Sequence, residues 1–178
     1  MWERLADILS NSWTLLSPCV VVKQYELGVV LRFGKYRRDV EPGLRYKIPL
    51  IETVLIVEAV QTTMRVRTQT LTTQDGISVT TSAVLQYEIK KPKPFLLEVW
   101  EGLDAINDVA MAEIKRVVST NTWEQLNSKD MEQVIKTEIG KQIKPYGVTI
   151  KRFGFADLGK IRTIRIINSS VTTHNEDI

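Results

Sequence analysis

The chain has 178 residues and a formal net charge of +3, from 24 basic and 21 acidic side chains. That length buries a hydrophobic core without staples, and the charge is too evenly balanced for a dedicated nucleic-acid binder. A single cysteine, Cys19, rules out an intramolecular disulfide and a cysteine-based zinc site, and the single histidine, His174, sits in the polar tail THNEDI with nothing to position it as a base.

Neither a GxxxxGK[ST] loop nor a GxGxxG fingerprint occurs, so the two commonest phosphate cradles are missing. The reading is therefore of a protein that is not an enzyme and has no cofactor and no metal.

In chain order, the first predicted element is a helix. Trp2, Leu5, Leu9, Trp13 and Leu16 are separated by 3, 4, 4 and 3 positions, which places them on one face while Glu3, Arg4, Asp7, Asn11 and Thr14 point away; Pro18 ends the run. Two tryptophans bracket the apolar face, and indole favours the headgroup boundary because its ring is apolar and its N–H stays wet. Residues 1–17 are expected to lie on a bilayer rather than cross it, since charges interrupt the apolar run. No signal-peptide pattern is present, so the N-terminus is expected to be kept.

Val20 to Phe33 reads as two short strands with a break at Glu26-Leu27-Gly28, and Pro42-Gly43 marks the next turn. Between Arg32 and Lys47 six basic residues face two acidic ones. Val54 to Val60 reads as a buried strand. QTTMRVRTQTLTT then alternates, with Met64, Val66 and Thr68 on one face and Arg65, Arg67 and Gln69 on the other.

Asp75-Gly76 is a hairpin signal. From Ile77 through Val79, Thr81, Ala83, Leu85 and Tyr87 to Ile89 every second residue faces one way, the period of a half-buried antiparallel strand, and KKPKP closes it. Two helical stripes follow, Leu103, Ile106, Ala110, Ile114, Val117 and Met131, Ile135, Ile139, Ile143, with Thr122 as a cap between them and Gly147 as a stop. A strand from Val148 to Phe155 returns the chain to the sheet, and KIRTIRII is a candidate further strand.

With that order of elements in place, the residues Glu26-Leu-Gly28-Val-Val-Leu-Arg32-Phe-Gly34-Lys-Tyr36, Glu41-Pro-Gly43-Leu, Ile48-Pro-Leu-Ile-Glu52-Thr-Val54, Thr73-Gln-Asp75-Gly76-Ile-Ser-Val79, Ala105-Ile through Ile114-Lys-Arg116-Val-Val and Tyr146-Gly147-Val-Thr-Ile150 resemble the SPFH, or band 7, superfamily of stomatins, prohibitins, flotillins and HflK/HflC proteins, with stomatin and HflC the nearest in character.

The resemblance implies an α+β fold, the SPFH (band 7/PHB) domain: an antiparallel-rich sheet lobe followed by a lobe of sheet plus helices, here preceded by the N-terminal amphipathic helix. The expected division is 1–17 membrane-associating helix, 18–166 SPFH domain with lobes at about 18–70 and 71–166, and 167–178 polar tail. It also implies a non-enzymatic membrane scaffold that assembles laterally with its own kind, a ring being one form, and that organises lipids or membrane proteins such as proteases and other SPFH proteins, with no nucleic acid as partner. The place expected is a membrane surface, the inner or cytoplasmic one in a bacterial setting.

The expected membrane contacts are Trp2, Leu5, Leu9, Trp13 and Leu16 on the helix, and Arg37, Arg38, Arg45 and Lys47 on the hairpin and loop, each cation contributing about 1 kcal/mol near anionic lipid. By family likeness Cys19 is a candidate for acylation. Two alternatives remain: a soluble or nucleic-acid-binding module using the Arg65/Arg67 strand face and the basic hairpin, and a partner that docks into a host SPFH assembly.

Overall fold

The structure, a computed structural model, describes residues 18–161. The predicted helix with Trp2, Leu5, Leu9, Trp13 and Leu16, the tail with His174, and KIRTIRII beyond Ile161 lie outside the described residues.

Valine-rich runs build the first part. Strand β1 (Cys19–Val22) pairs antiparallel with β4 (Gly43–Tyr46) as a two-stranded ribbon, while β2 (Glu26–Arg32) is central to a second sheet of order β3-β2-β5, with β3 at Lys35–Val40 and β5 at Glu52–Glu58. The ribbon lies on that sheet through a small cluster of Val22, Val30 and Val40, with Val20 and Val54 packed at its margin. Val29, one position from Val30 and so on the opposite face, is also fully buried. Apolar neighbours on both faces are what a sheet packed on two sides requires.

The second part is a three-stranded antiparallel sheet, β6 (Thr62–Thr72), β7 (Ser78–Ile89) and β8 (Val148–Lys160), with β7 in the middle. Val79, Thr81, Ala83, Leu85, Tyr87 and Ile89 are all buried, as the alternation predicts. They join one core with helices α2 (Gly102–Thr120) and α4 (Lys129–Ile143), whose buried residues include Ile106, Ala110, Ile114 and Val117 and Ile135, Ile139 and Ile143.

Short helices α1 (Pro92–Leu97) and α3 (Trp123–Leu126) fill the connections. The N–H of Thr122 donates to Gln125 Oε1 at 3.0 Å, so Thr122 starts α3 as expected. Helix α1 packs on β2 and β5 and buries Phe95 in the large core, and so ties the two parts together. Gly147, at φ 77, ends the second stripe after a 3-10 turn, and its carbonyl accepts from the N–H groups of Lys90 and Lys91.

Several expectations need correcting. The first break falls at Lys23–Tyr25, not at Glu26-Leu27-Gly28, which lies within β2. Gly28 marks a close approach of backbones instead: a β-carbon there would sit 2.6 Å from the Leu55 carbonyl oxygen on β5. β5 is only partly buried, with Ile56 exposed, because it is the edge of its sheet.

The alternation in β6 fails at a bulge between Val66 and Gln69, which leaves Thr68 exposed and turns Gln69 inward, where its Nε2 donates to the Met111 carbonyl at 3.2 Å. Leu103, counted in the first helical stripe, is exposed on the opening turn of α2. The returning strand also runs five residues past Phe155, to Lys160.

Candidate functional site

β2 and β5 run antiparallel with Arg32 opposite Glu52, so the β2–β3 turn and the loop before β5 emerge at the same end of the sheet. The two are stitched together there, the Phe33 N–H donating to the Ile51 carbonyl at 3.1 Å. Phe33 has φ 50 and Leu50 has φ 65, and their side chains are 77% and 83% exposed. An L-residue in the left-handed region costs about 1–2 kcal/mol. Phe33 and Gly34, at φ 75, both have positive φ, as a type I′ turn demands, yet a bulky aromatic stands where Asn or Gly is usual.

Glu52 braces this tip from beneath. Its carboxylate is buried; Oε2 accepts the Ile48 N–H at 3.1 Å and Oε1 lies 3.6 Å from Arg32 Nε. The Ile48 carbonyl in turn accepts from the N–H of Glu52 at 2.9 Å and of Ile51 at 3.3 Å. With Pro49 inside the loop, few backbone freedoms remain. The structure therefore fixes two oily side chains in water on strained, over-determined backbone, an arrangement that marks functional surfaces.

The ribbon extends the apolar surface. Cys19 lies opposite Tyr46 and Val21 opposite Leu44, so these four share the ribbon's outward face, and all are exposed. The Lys47 N–H donates to the Pro18 carbonyl at 2.7 Å, so Pro18, the first described residue, lies beside Lys47, where the tip loop begins.

The basic residues are placed less simply. Arg37 is exposed on β3, which bulges against β2 between Val30 and Leu31. Arg38 reaches across to β4, its Nη2 donating to the Tyr46 carbonyl at 2.9 Å. Arg45 folds onto its own turn: Nε donates to the Glu41 carbonyl at 3.0 Å, and Nη2 is 3.6 Å from the Glu41 carboxylate. Lys47 is half-buried. Arg38 and Arg45 share an open cleft of about 520 Å³ with Asp39, Glu41, Leu44 and Tyr46, where the two acids offset the two cations.

The structure thus brings Arg38, Arg45, Lys47 and Cys19 together and leaves Arg37 apart. Phe33 and Leu50 went unseen in the sequence reading. The signal was present in the Phe-Gly pair at 33–34, where Phe33 was read only as the end of a strand and as part of the family likeness.

The family comparison decides the fold's kinship: the model described as SPFH domain / Band 7 family matches residues 20–175. The chain belongs to the SPFH/Band 7 family. Among its relatives, Stomatin-1 of Caenorhabditis elegans is 25% identical over 142 residues, covering 78% of this chain and 43% of that protein. Protein HflK of Haemophilus influenzae is 33% identical over 123 residues, covering 60% and 30%. The modulator of FtsH protease HflC of Escherichia coli K12 is 29% identical over 146 residues, covering 77% and 42%. The chain spans less than half the length of each of these three.

Within this SPFH domain, the stretch 26–36 is the β2–β3 hairpin, 48–54 forms the tip loop and enters β5, 73–79 is the turn into β7, and 105–118 lies on α2. Among the described residues, no helix is long and apolar enough to cross a membrane.

Proposed function

We propose that this SPFH domain is a non-enzymatic scaffold standing on a membrane surface, with the Phe33/Leu50 tip in the lipid boundary, and that copies assemble side by side there to organise lipids or membrane proteins. The observation that carries the reading is the tip itself. Two large apolar side chains, more than three-quarters exposed on left-handed backbone, are braced by a buried Glu52 and adjoin the point where the 1–17 segment enters.

Full burial of a Phe or Leu side chain contributes roughly 1.5–3 kcal/mol, less at an interface. The tip alone therefore binds reversibly. A second anchor makes attachment stable, and the apolar face of Trp2, Leu5, Leu9, Trp13 and Leu16 supplies it. Arg37 and Lys47 add attraction to anionic lipid, while Arg38 and Arg45 chiefly hold the ribbon to its neighbours. The division into a surface helix at 1–17, two lobes within 18–166 and a polar tail at 167–178 belongs to the same proposal.

The names of the relatives support it: one is a stomatin and another a modulator of a protease. A membrane protease or a related SPFH protein is accordingly the client class we infer. Of the cations that the nucleic-acid alternative would use, Arg67 is paired at the surface, its Nη2 2.9 Å from Asp104 Oδ1.

Flotation with anionic vesicles tests the reading. Wild type is expected in the lipid fraction, with Phe33→Glu/Leu50→Glu and Trp2→Glu/Leu9→Glu/Trp13→Glu each shifting protein toward the supernatant. High salt alone should release only part of it, since screening acts on the cations and not on apolar burial. Retention of both variants in the lipid fraction would refute the proposed contact.

A further inference from the structure

A second apolar projection lies at the corner between α1 and α2. Trp100 is 86% exposed, with Leu97 and Leu103 exposed beside it at three-residue spacing. The corner is held rigidly: Glu101 is left-handed at φ 48, and Gly102 packs so closely that a β-carbon there would lie 2.6 Å from the Phe95 ring. An indole kept in water next to the strained backbone of Glu101, with a glycine needed to seat the turn, has the form of a presented side chain. Its rim is acidic. Glu101, Asp104 and Asp108 follow at spacings of three and four along the exposed side of α2, and neither Glu101 nor Asp108 makes an ion pair among the described residues.

The open face of the large sheet, opposite the helices, has complementary features. Val84 is flanked across the strands by Arg65 and by Gly154, and the next row contains Gln86 opposite Arg152. Gly154 leaves a gap in the β8 wall, bordered on one side by the Glu132 carboxylate, which would lie 3.6 Å from a β-carbon there and accepts the Phe155 N–H at 3.0 Å. A slot of about 220 Å³ there is lined by Val84, Gln86, Arg152, Gly154 and Phe155, and a neighbouring hollow of about 470 Å³ shares Val84 and continues past Arg65. Neither Arg65 nor Arg152 makes an ion pair among the described residues, and Glu132 is held by the Phe155 N–H.

We propose that Trp100 of one copy seats in the Val84/Gly154 slot of the next, with Glu101 and Asp108 facing Arg65 and Arg152. Knob and slot lie on different surfaces of one molecule, so the contact is head-to-tail. It propagates into a ring if the rotation closes and a filament if it does not. This interface rests on the lateral assembly proposed above and names the surfaces that make it.

The test uses full-length chains with Cys19→Ser, one also bearing Trp100→Cys and the other Val84→Cys, mixed on anionic vesicles and in detergent under mild oxidation. Trp100 is exposed and Val84 is half-buried on the open sheet face, outside the core, so thermal melts close to wild type are expected. A mixed disulfide between the two variants is the expected product, with far less of either self-pair. Arg152→Glu, a reversal that sets like charges face to face, should reduce its yield at least about tenfold, and Glu101→Arg in the partner should restore it.

If copies assemble by sedimentation yet no mixed disulfide forms, or Trp100→Cys pairs with itself, this interface is overturned while lateral assembly stands. If wild type stays monomeric on vesicles and in detergent, lateral assembly and this interface are both overturned.

Discussion

Phe33 and Leu50 keep bulky side chains on backbone that favours glycine, and stability gives no reason for either choice. Phe33→Gly and Leu50→Gly each relieve left-handed strain while loosening the unfolded chain. Urea denaturation should find stability unchanged or raised by up to about 1 kcal/mol. Vesicle affinity should fall for both; unchanged affinity would mean the tip serves no lipid contact.

Thr81 makes a different kind of test. It is 1% exposed in the core, its Oγ1 has no hydrogen-bond partner, and the buried hydroxyl is therefore a cost. Thr81→Val keeps the shape and should raise unfolding free energy by about 1 kcal/mol.

Asp75 supplies a pH dependence. The Thr73 hydroxyl beside it, then the Trp123 N–H and the Lys160 charge, hold its carboxyl below the usual range despite some opposing desolvation. A depressed pKa gives stability that is present above the unfolded-state value, near 3.9, and is lost as pH falls through the folded one. Melting temperatures followed downward from pH 6 should fall in wild type over that acidic window, and Asp75→Asn should remove part of the fall. Equal pH profiles would contradict the assignment.

Among the elements, the long ones were the most legible. The seven-fold alternation from Ile77 to Ile89 and the isoleucine stripe of α4 predicted the buried faces because each keeps one period against one core. That packing has a direct check: Ile139→Ala, at a fully buried site, should cost about 2–5 kcal/mol, whereas Val134→Ala on the exposed side of α4 should stay within about 0.5 kcal/mol.

The misreadings share a physical origin, since each depends on a neighbour that sequence does not display. Gly28 looked like a turn because the approach of β5 is a tertiary fact, and the β6 bulge reverses an alternation that looks regular in one dimension. Gly28→Ala should therefore destabilise the sheet by about 1–3 kcal/mol, an overpacking penalty. The six-to-two excess of basic over acidic residues between 32 and 47 was legible, but not how Arg38 and Arg45 turn to backbone carbonyls.

At the scale of the molecule, the tip, the outward face of the ribbon and the entry point at Pro18 belong to the β1–β5 region, while Trp100 and the sheet slot belong to the helix corner and the large sheet beyond it. A domain attached to lipid through one region has the other free for neighbouring copies. That separation unites the proposed membrane contact with the proposed lateral one.

The most direct measurement of the membrane contact places an environment-sensitive fluorophore at Leu50→Cys, and separately at Val134→Cys, in full-length Cys19→Ser protein titrated with anionic vesicles. The account predicts a blue shift and an intensity rise at position 50 and no change at 134. A silent probe at 50 on protein that floats with the vesicles would contradict it.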